Sequence, residues 1–523
     1  MVNAINKKVS LFFLLLLITF SLFAQEGAKQ VKTNDIRTII VFFDGLRPDY
    51  ITPEGMPNLY ALLQENAYGK QHHSVFPTVT RVNASSYSTG SYPGTHGLLG
   101  NTVYFLEVDP KKGLNTGDAS ELNKIAQATN GHLLTTISLG EILQSVGAHM
   151  MVFSSGSTGQ AMMQNHTVSG GAIINPAMIL PESFKEKVIS AIGAIPPAGK
   201  PNTQRHKWIT DALLYYGLAT DGPTVSAIWF SDPDGAAHSD GIGSPAAVQS
   251  IKDVDEQFGR IINALKEKGL TDKFNIMVST DHGFITNVGK DDVADFLIKE
   301  GIKKDKESED VVVAGGAIYV KDHDEQTIRK IVSRLQEQDW IGAIFTKGKK
   351  VGDMKGWVDG TLSFESIHWN HTNRIADILV DENWDDRKNA AGYAGSSFSR
   401  GVAGHGGLSP YEVHIPLILA GPGIKKAFES DLPTSNVDIV PTLLYLHNIP
   451  VPVSMDGRVI YEMMVKQPKS VPAAKKETIT TTASTDAGTT YVLQLERTVT
   501  GKYAYVNYAT VKRTVGKSSS GTK

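Results

Sequence analysis

The chain has 523 residues, 41% of them hydrophobic and 20% charged, with a formal net charge of -3. These proportions suit a globular protein large enough for one big α/β domain with insertions, and the near-neutral balance gives no basis for binding a nucleic-acid polymer. There is no cysteine, which excludes disulfides, thiolate metal sites and cysteine nucleophiles, so any metal must be held by Asp, Glu or the 15 histidines.

Lys7 and Lys8 precede an apolar run from Leu11 to Phe23, and Leu22-Phe23-Ala24 resembles a small-residue cleavage site. Residues 1–24 therefore read as a signal peptide, the apolar run being short for a membrane span, with an uncleaved anchor as the alternative. The expectation is export, to the periplasm in a double-membraned cell, with membrane contact only in transit.

Thr38 to Phe43 is a continuous apolar run ending in Asp44-Gly45, the pattern of a parallel strand buried on both faces. Met56 to Asn66 reads as a helix. Phe76 to Asn101 follows, with Thr80 just ahead of a small-residue helix that stops at Gly90. A hydroxyl there lies where unpaired N–H groups favour an anion, so Thr80 is a candidate phosphoryl nucleophile; helix capping by Thr78 or Thr80 is the alternative. Further strand–helix units end in Ser154-Ser155-Gly156-Ser157 after His149 to Phe153, in Ser231-Asp232-Pro233-Asp234 after Thr224 to Phe230, and in Asp281-His282-Gly283 after Phe274 to Thr280. Helices are expected over Ile137 to Val146, Thr203 to Gly217, Val248 to Lys268 and Val437 to Leu446.

This alternation predicts a three-layer α/β sandwich around a mostly parallel sheet. The catalytic domain is expected over residues 25–466, with cap excursions near 102–135 and 284–375 and the main domain resuming at Arg374 to Val380. From about Gln467 the composition turns to Ser, Thr, Ala and Lys, which reads as a linker followed by a small β-hairpin around Thr500-Gly501, together residues 467–523.

Three strand ends carry Asp44, Asp234 with His238, and Asp281 with His282; His405 stands apart in a glycine-rich loop. Singly, each Asp suits a helix cap and each His a packed or surface residue. Together they supply nitrogen and carboxylate ligands at the rim where such sheets bind their ligands. That set fits two divalent ions, zinc being the expected one, roughly 4 Å apart and able to ionise a threonine hydroxyl otherwise too weakly acidic to attack.

The motifs Phe43-Asp44-Gly45-Leu46-Arg47, Phe76 to Thr80, Pro233 to His238, Ser279 to Gly283 and Gly404-His405-Gly406 resemble, in order and spacing, the alkaline phosphatase superfamily and within it the nucleotide pyrophosphatase/phosphodiesterase branch. The resemblance implies an alkaline phosphatase-like fold and a phospho-threonine intermediate on Thr80. It implies one metal on Asp44, Asp281 and His282, which also activates Thr80, and another on Asp234, His238 and His405. Asn101 would bind a non-bridging phosphate oxygen, while Asn83 would be structural. Two departures stand out. Arg81 occupies the place of the aromatic residue that stacks on a nucleobase, where it either grips a substrate phosphate or is a solvated arginine. No Lys-x-Arg pair follows the strand ending at Phe153, which leans toward diesters.

The resulting reading is an exported two-metal hydrolase of small phosphodiester or pyrophosphate substrates. The alternatives are a phosphomonoesterase or phosphonate hydrolase on the same site, and a non-catalytic metal- or phosphate-binding protein. His72, His73 and His96 are expected at the surface, and His368 and His371 in the cap.

Overall fold

The computed structural model describes residues 35–515 apart from 468 and 486, so the expected signal peptide lies outside the described residues. A nine-stranded sheet forms the middle layer. In spatial order its strands are Phe428–Ser435, Ala67–His73, His414–Ala420, Phe274–Ser279, Arg37–Phe43, Val225–Phe230, Met150–Ser154, Ala172–Asn175 and Met178–Leu180. Only His414–Ala420 and Met178–Leu180 run against the rest.

Because side chains alternate along a strand, the run Ile39–Phe43 feeds two cores. Ile40 and Phe42 pack with Tyr87, Leu143 and Leu443 on one face. Ile39, Val41 and Phe43 pack with Leu59, Phe258 and Ile261 on the other. All five strand residues are essentially inaccessible, and burying each stabilises the fold by about 1.5–3 kcal/mol. This double burial makes the central strands apolar throughout and produces the three-layer α/β sandwich.

A second sheet, with strands in the order Val311–Ala314, Ala317–Val320, Ile378–Glu382, Ile341–Thr346 and Leu362–Ser363, forms the cap. Helix Glu325–Gln336 buries Ile328, Ile331, Val332 and Leu335 in its core. The strand Ile378–Glu382, expected in the main domain, belongs here instead: its partners are Ala317–Ile318 and Ile341–Thr346. An apolar run shows that a strand is buried, not which sheet it joins. The earlier excursion is less separate than expected, since Leu122 and Ile125 of helix Ala119–Ala128 join the main core.

The C-terminal extension is a three-stranded antiparallel sheet, Lys475–Ser484, Thr489–Thr500 and Tyr503–Val515. Residues 475–484, expected as linker, form its first strand because their run of threonines suits a pleated surface. The sheet bridges cap and main domain: Tyr491 donates to the Gly342 carbonyl (2.8 Å), and Tyr505 donates to Asp438 (3.0 Å). Among the described residues no helix is long and apolar enough to cross a membrane.

Candidate active site

Three adjacent parallel strands, Val225–Phe230, Arg37–Phe43 and Phe274–Ser279, end at one edge of the sheet. Their register delivers Asp234, Asp44 and Asp281 side by side. The turns are tied together: Asp44 N–H donates to the Phe230 carbonyl (2.9 Å), Asp234 N–H to the Asp44 carbonyl (3.0 Å), and Gly45 N–H to Asp281 Oδ1 (3.1 Å). Gly45 sits at φ 74, and a side chain there would press on Phe284 and Asp234.

Two groups emerge, Asp44 with Asp281 and His282, and Asp234 with His238 and His405, each with ligand atoms within 4.8 Å of one another. In the second, Asp234 and His238 lie four residues apart on helix Asp234–Asp240, hence on one face. His405 is brought over by the short pairing of Ala403–Gly404 with Ile285–Thr286. All three histidines hand Nδ1 to a backbone carbonyl: His238 to Ala403, His405 to Thr78 and His282 to Gly283, each at 2.9 Å. A carbonyl only accepts, so Nδ1 carries the proton and Nε2 keeps its lone pair turned inward, the orientation a metal ligand requires.

The donor set passes a second test. One carboxylate oxygen on each aspartate, Asp44 Oδ1, Asp234 Oδ2 and Asp281 Oδ2, is buried without a hydrogen bond. These oxygens face the inward nitrogens: His282 Nε2 is 2.9 Å from Asp281 Oδ2 and 3.6 Å from Asp44 Oδ1, while His238 and His405 Nε2 are 3.2 and 3.4 Å from Asp234 Oδ2. Burial, with Asp281 and Asp234 nearby, pushes the Asp44 carboxyl well up. Burial, with His282 and His238 nearby, pushes His405 well down. Crowded carboxylates with three imidazole nitrogens turned toward them are a site that a divalent cation stabilises.

Thr80 is the first residue of helix Thr80–Thr89, and its hydroxyl is no cap: Oγ1 lies 3.3 Å from His282 Nε2. Thr78 instead pins the His405 loop, donating to the Gly407 carbonyl (2.8 Å) and accepting from Gly406 N–H (3.1 Å). Asn83 braces the segment, accepting from Val75 N–H and donating to the Val75 carbonyl. Asn101 Oδ1 accepts from Arg81 N–H (3.0 Å), which leaves Nδ2 as its free donor group, and Asn101 borders a cavity of about 440 Å³ between the main domain and the cap. Arg81 is partly buried and keeps part of its side chain accessible. Its Nε is buried without an acceptor, and its guanidinium has no hydrogen bond or ion pair among the described residues.

Two supporting residues escaped the sequence reading. Trp229 Nε1 donates to Asp44 Oδ2 (3.0 Å), yet in sequence Trp229 is just one more apolar residue of a buried strand. Asn436 Nδ2 reaches Asn83 Oδ1 and the Thr280 carbonyl (3.0 Å each), joining the nucleophile's helix to the Asp281 turn; no local motif marks it. His72, His73 and His96, expected at the surface, are all buried. His72 bonds Thr434 Oγ1 (2.8 Å) and His96 bonds Ser86 Oγ (2.9 Å), so flanking strands and helices consume them structurally. His371 bonds Thr135 and does not border the cavity, whereas Trp369 does.

Several known proteins resemble this chain in fold or in sequence. Murine ectonucleotide pyrophosphatase / phosphodiesterase 5, solved as an inactive variant in complex with AMP, superposes with a TM-score of 0.54 at 19% identity, over 80% of this chain and 96% of that one. Wild-type alkaline phosphatase PafA gives a TM-score of 0.62 at 16% identity, over 82% and 98%. In sequence, the bis(5'-adenosyl)-triphosphatase enpp4 of Xenopus laevis is 23% identical over 433 residues, 81% of this chain and 80% of the relative. The model of the type I phosphodiesterase / nucleotide pyrophosphatase family matches residues 38–388, a span that holds Thr80, Asn101 and all of the two Asp/His groups except His405. This chain is a hydrolase belonging to the type I phosphodiesterase / nucleotide pyrophosphatase family, built on the alkaline phosphatase-like fold.

Proposed function

We propose that this chain is an exported two-metal phosphoesterase that hydrolyses phosphodiester or pyrophosphate bonds through a phospho-threonine intermediate. The observation that carries the reading is the position of Thr80 Oγ1, 3.3 Å from His282 Nε2 where the two Asp/His groups converge. Asp44, Asp281 and His282, with Thr80, would hold one divalent cation and Asp234, His238 and His405 the other, zinc by the chemistry of the donors. When bound, such ions lower the pKa of an attacking oxygen and offset charge on a departing one.

The chain's own residues then divide the work. Thr80 Oγ1 attacks phosphorus and forms the P–O bond as the ester oxygen opposite leaves with its electron pair. Asn101 Nδ2 donates to a non-bridging oxygen, its amide held in place by Arg81 N–H. Water next attacks the phospho-threonine from the side the leaving group occupied, which frees the Thr80 hydroxyl and completes the hydrolysis. The cavity lined by Phe76, Leu99, Tyr319 and Trp369 gives an aromatic or aliphatic substituent a surface to pack on. An AMP complex of one relative and the triphosphatase activity named for another support a nucleotide-like ester as substrate. The expected leader at residues 1–24 supports export.

The test is Thr80→Ala. Turnover of bis(p-nitrophenyl) phosphate should vanish while bound zinc stays near two per chain; turnover that persists removes Thr80 from the mechanism. A second reading, phosphomonoesterase on the same site, is favoured by Arg81, whose Nε is buried without an acceptor beside Thr80. A wild-type preference for p-nitrophenyl phosphate over the diester would select it.

A further inference from the structure

The cavity bordered by Val79 and Asn101 is not the only one near the nucleophile. A smaller polar cavity of about 280 Å³ is bordered by Asp44, Thr80, Asp234, Arg81, Gln160 and Lys200. Two donors stand unused at its wall. Arg81 Nε is buried with no acceptor. Gln160 is 1% exposed; its Oε1 accepts from Ser154 Oγ (2.6 Å), and its Nε2 has no acceptor. A buried donor left unpaired costs about 1–3 kcal/mol, and more when it is charged.

The wall behind them is rigid. Ser155 Oγ bonds His206 Nδ1 (2.9 Å), whose Nε2 bonds Asp232 Oδ2 (2.8 Å), and the same carboxylate oxygen accepts from Asn202 N–H (2.8 Å). Gly117 packs beside the guanidinium: a methyl group there would stand 3.6 Å from Arg81 Cζ, an ordinary van der Waals contact. Of the three carboxylates that border the cavity, Asp44 and Asp234 belong to the site where cations would bind, and Asp232 is already engaged by His206, Asn202 N–H and Ala236 N–H, while Arg81, Gln160 and Lys200 bring N–H donors.

We propose that this cavity is an anion subsite, in which Arg81 and Gln160 take the oxygens of a phosphate group beside the nucleophile. The inference rests on the phosphoesterase reading and narrows its substrate class. The substrate carries negative charge on the Arg81 side, either as the second phosphate of a phosphoanhydride or as the terminal phosphoryl of a monoester. A diester flanked by two uncharged substituents leaves both donors unpaired.

The test uses the purified, zinc-loaded protein and its Arg81→Ala, Arg81→Lys and Gln160→Glu variants. Gln160→Glu keeps the acceptor for Ser154 while replacing the N–H donor with a like charge. Binding of inorganic phosphate, measured by calorimetry, should weaken about 10–100-fold in Arg81→Ala and at least about 10-fold in Gln160→Glu, with partial recovery in Arg81→Lys. In wild type and Arg81→Ala, kcat/KM is compared on inorganic pyrophosphate, p-nitrophenyl phosphate and bis(p-nitrophenyl) phosphate. The loss on one or both charged substrates should exceed the loss on the diester by at least about tenfold, and whichever charged substrate responds identifies the source of the phosphate. Phosphate affinity unchanged in both Arg81→Ala and Gln160→Glu, or equal losses on all three substrates, would overturn the subsite. A wild type inactive on all three would defeat the hydrolytic reading instead, and phosphate affinity would still decide the subsite.

Discussion

Trp229→Phe isolates one hydrogen bond behind the site. Trp229 is fully buried, stacked on Phe42 with ring centroids 4.6 Å apart, and its Nε1–H donates to Asp44 Oδ2 at 3.0 Å. Phenylalanine keeps an aromatic ring in the stack and removes that donor. A hydrogen bond to a charged acceptor contributes about 1.5–3 kcal/mol, or about 10–100-fold in the affinity of a cation held by Asp44. The indole N–H favours the carboxylate, so losing it raises the Asp44 pKa further above its already elevated position. The proton then competes better with the cation, and the pH midpoint of metal loading moves up, by about one unit for each 1.36 kcal/mol lost. Chelator competition across pH 6–9 reads both effects. Phe42→Leu disturbs the same aromatic stack without touching Asp44 and serves as the packing control. If Trp229→Phe binds metal as tightly as wild type, or no more weakly than Phe42→Leu, the hydrogen bond does not orient the ligand.

Three further outcomes are expected. Asn101→Ala should lower kcat about 10²–10³-fold with metal content unchanged, as loss of a single oxyanion donor does; a change confined to KM would contradict its placement. Asn436→Ala should destabilise the protein by about 2–4 kcal/mol in denaturant titrations, because it strips several buried bonds between the Thr80 helix and the Asp281 turn; a loss below about 1 kcal/mol would show that the network is redundant. Burial, reinforced by Glu412 and Asp292, holds the Glu382 carboxyl at about 7 against its ordinary 4.5. Between those values the folded chain keeps a proton that the unfolded chain has released, so this group's contribution to stability falls as pH rises through the window. Glu382→Gln should therefore be more stable than wild type at pH 8 by about 1–3 kcal/mol and nearly equal to it at pH 4.5, and superimposable pH profiles would refute the argument.

The apolar run Thr38–Phe43 announced a strand buried on both faces because its composition leaves no solvent side, and the structure places it at the centre of the sheet. The same logic could not assign Ile378–Glu382 to a sheet, since an apolar strand pairs with whichever partner lies next to it in space. Residues 475–484 looked like linker because a threonine run is both polar and β-forming, and only the neighbouring strand Thr489–Thr500 resolves that ambiguity.

What the sequence by itself determined is the chemistry on offer: a threonine before a helix, three Asp-bearing strand ends, three histidines in ordered motifs, and no thiol. Composition and local pattern set these because they depend on the residue and its near neighbours. What only the tertiary structure decided is orientation. That all three histidines turn Nε2 inward depends on carbonyls of Ala403, Thr78 and Gly283, two of them more than 150 residues away along the chain. That Arg81 Nε is buried without an acceptor, at a cavity it shares with Gln160 and Ser157, depends on segments distant along the chain, Gly117 among them. Hydrogen bonds and burial act across space, and the chain distance between such partners leaves no pattern in the sequence.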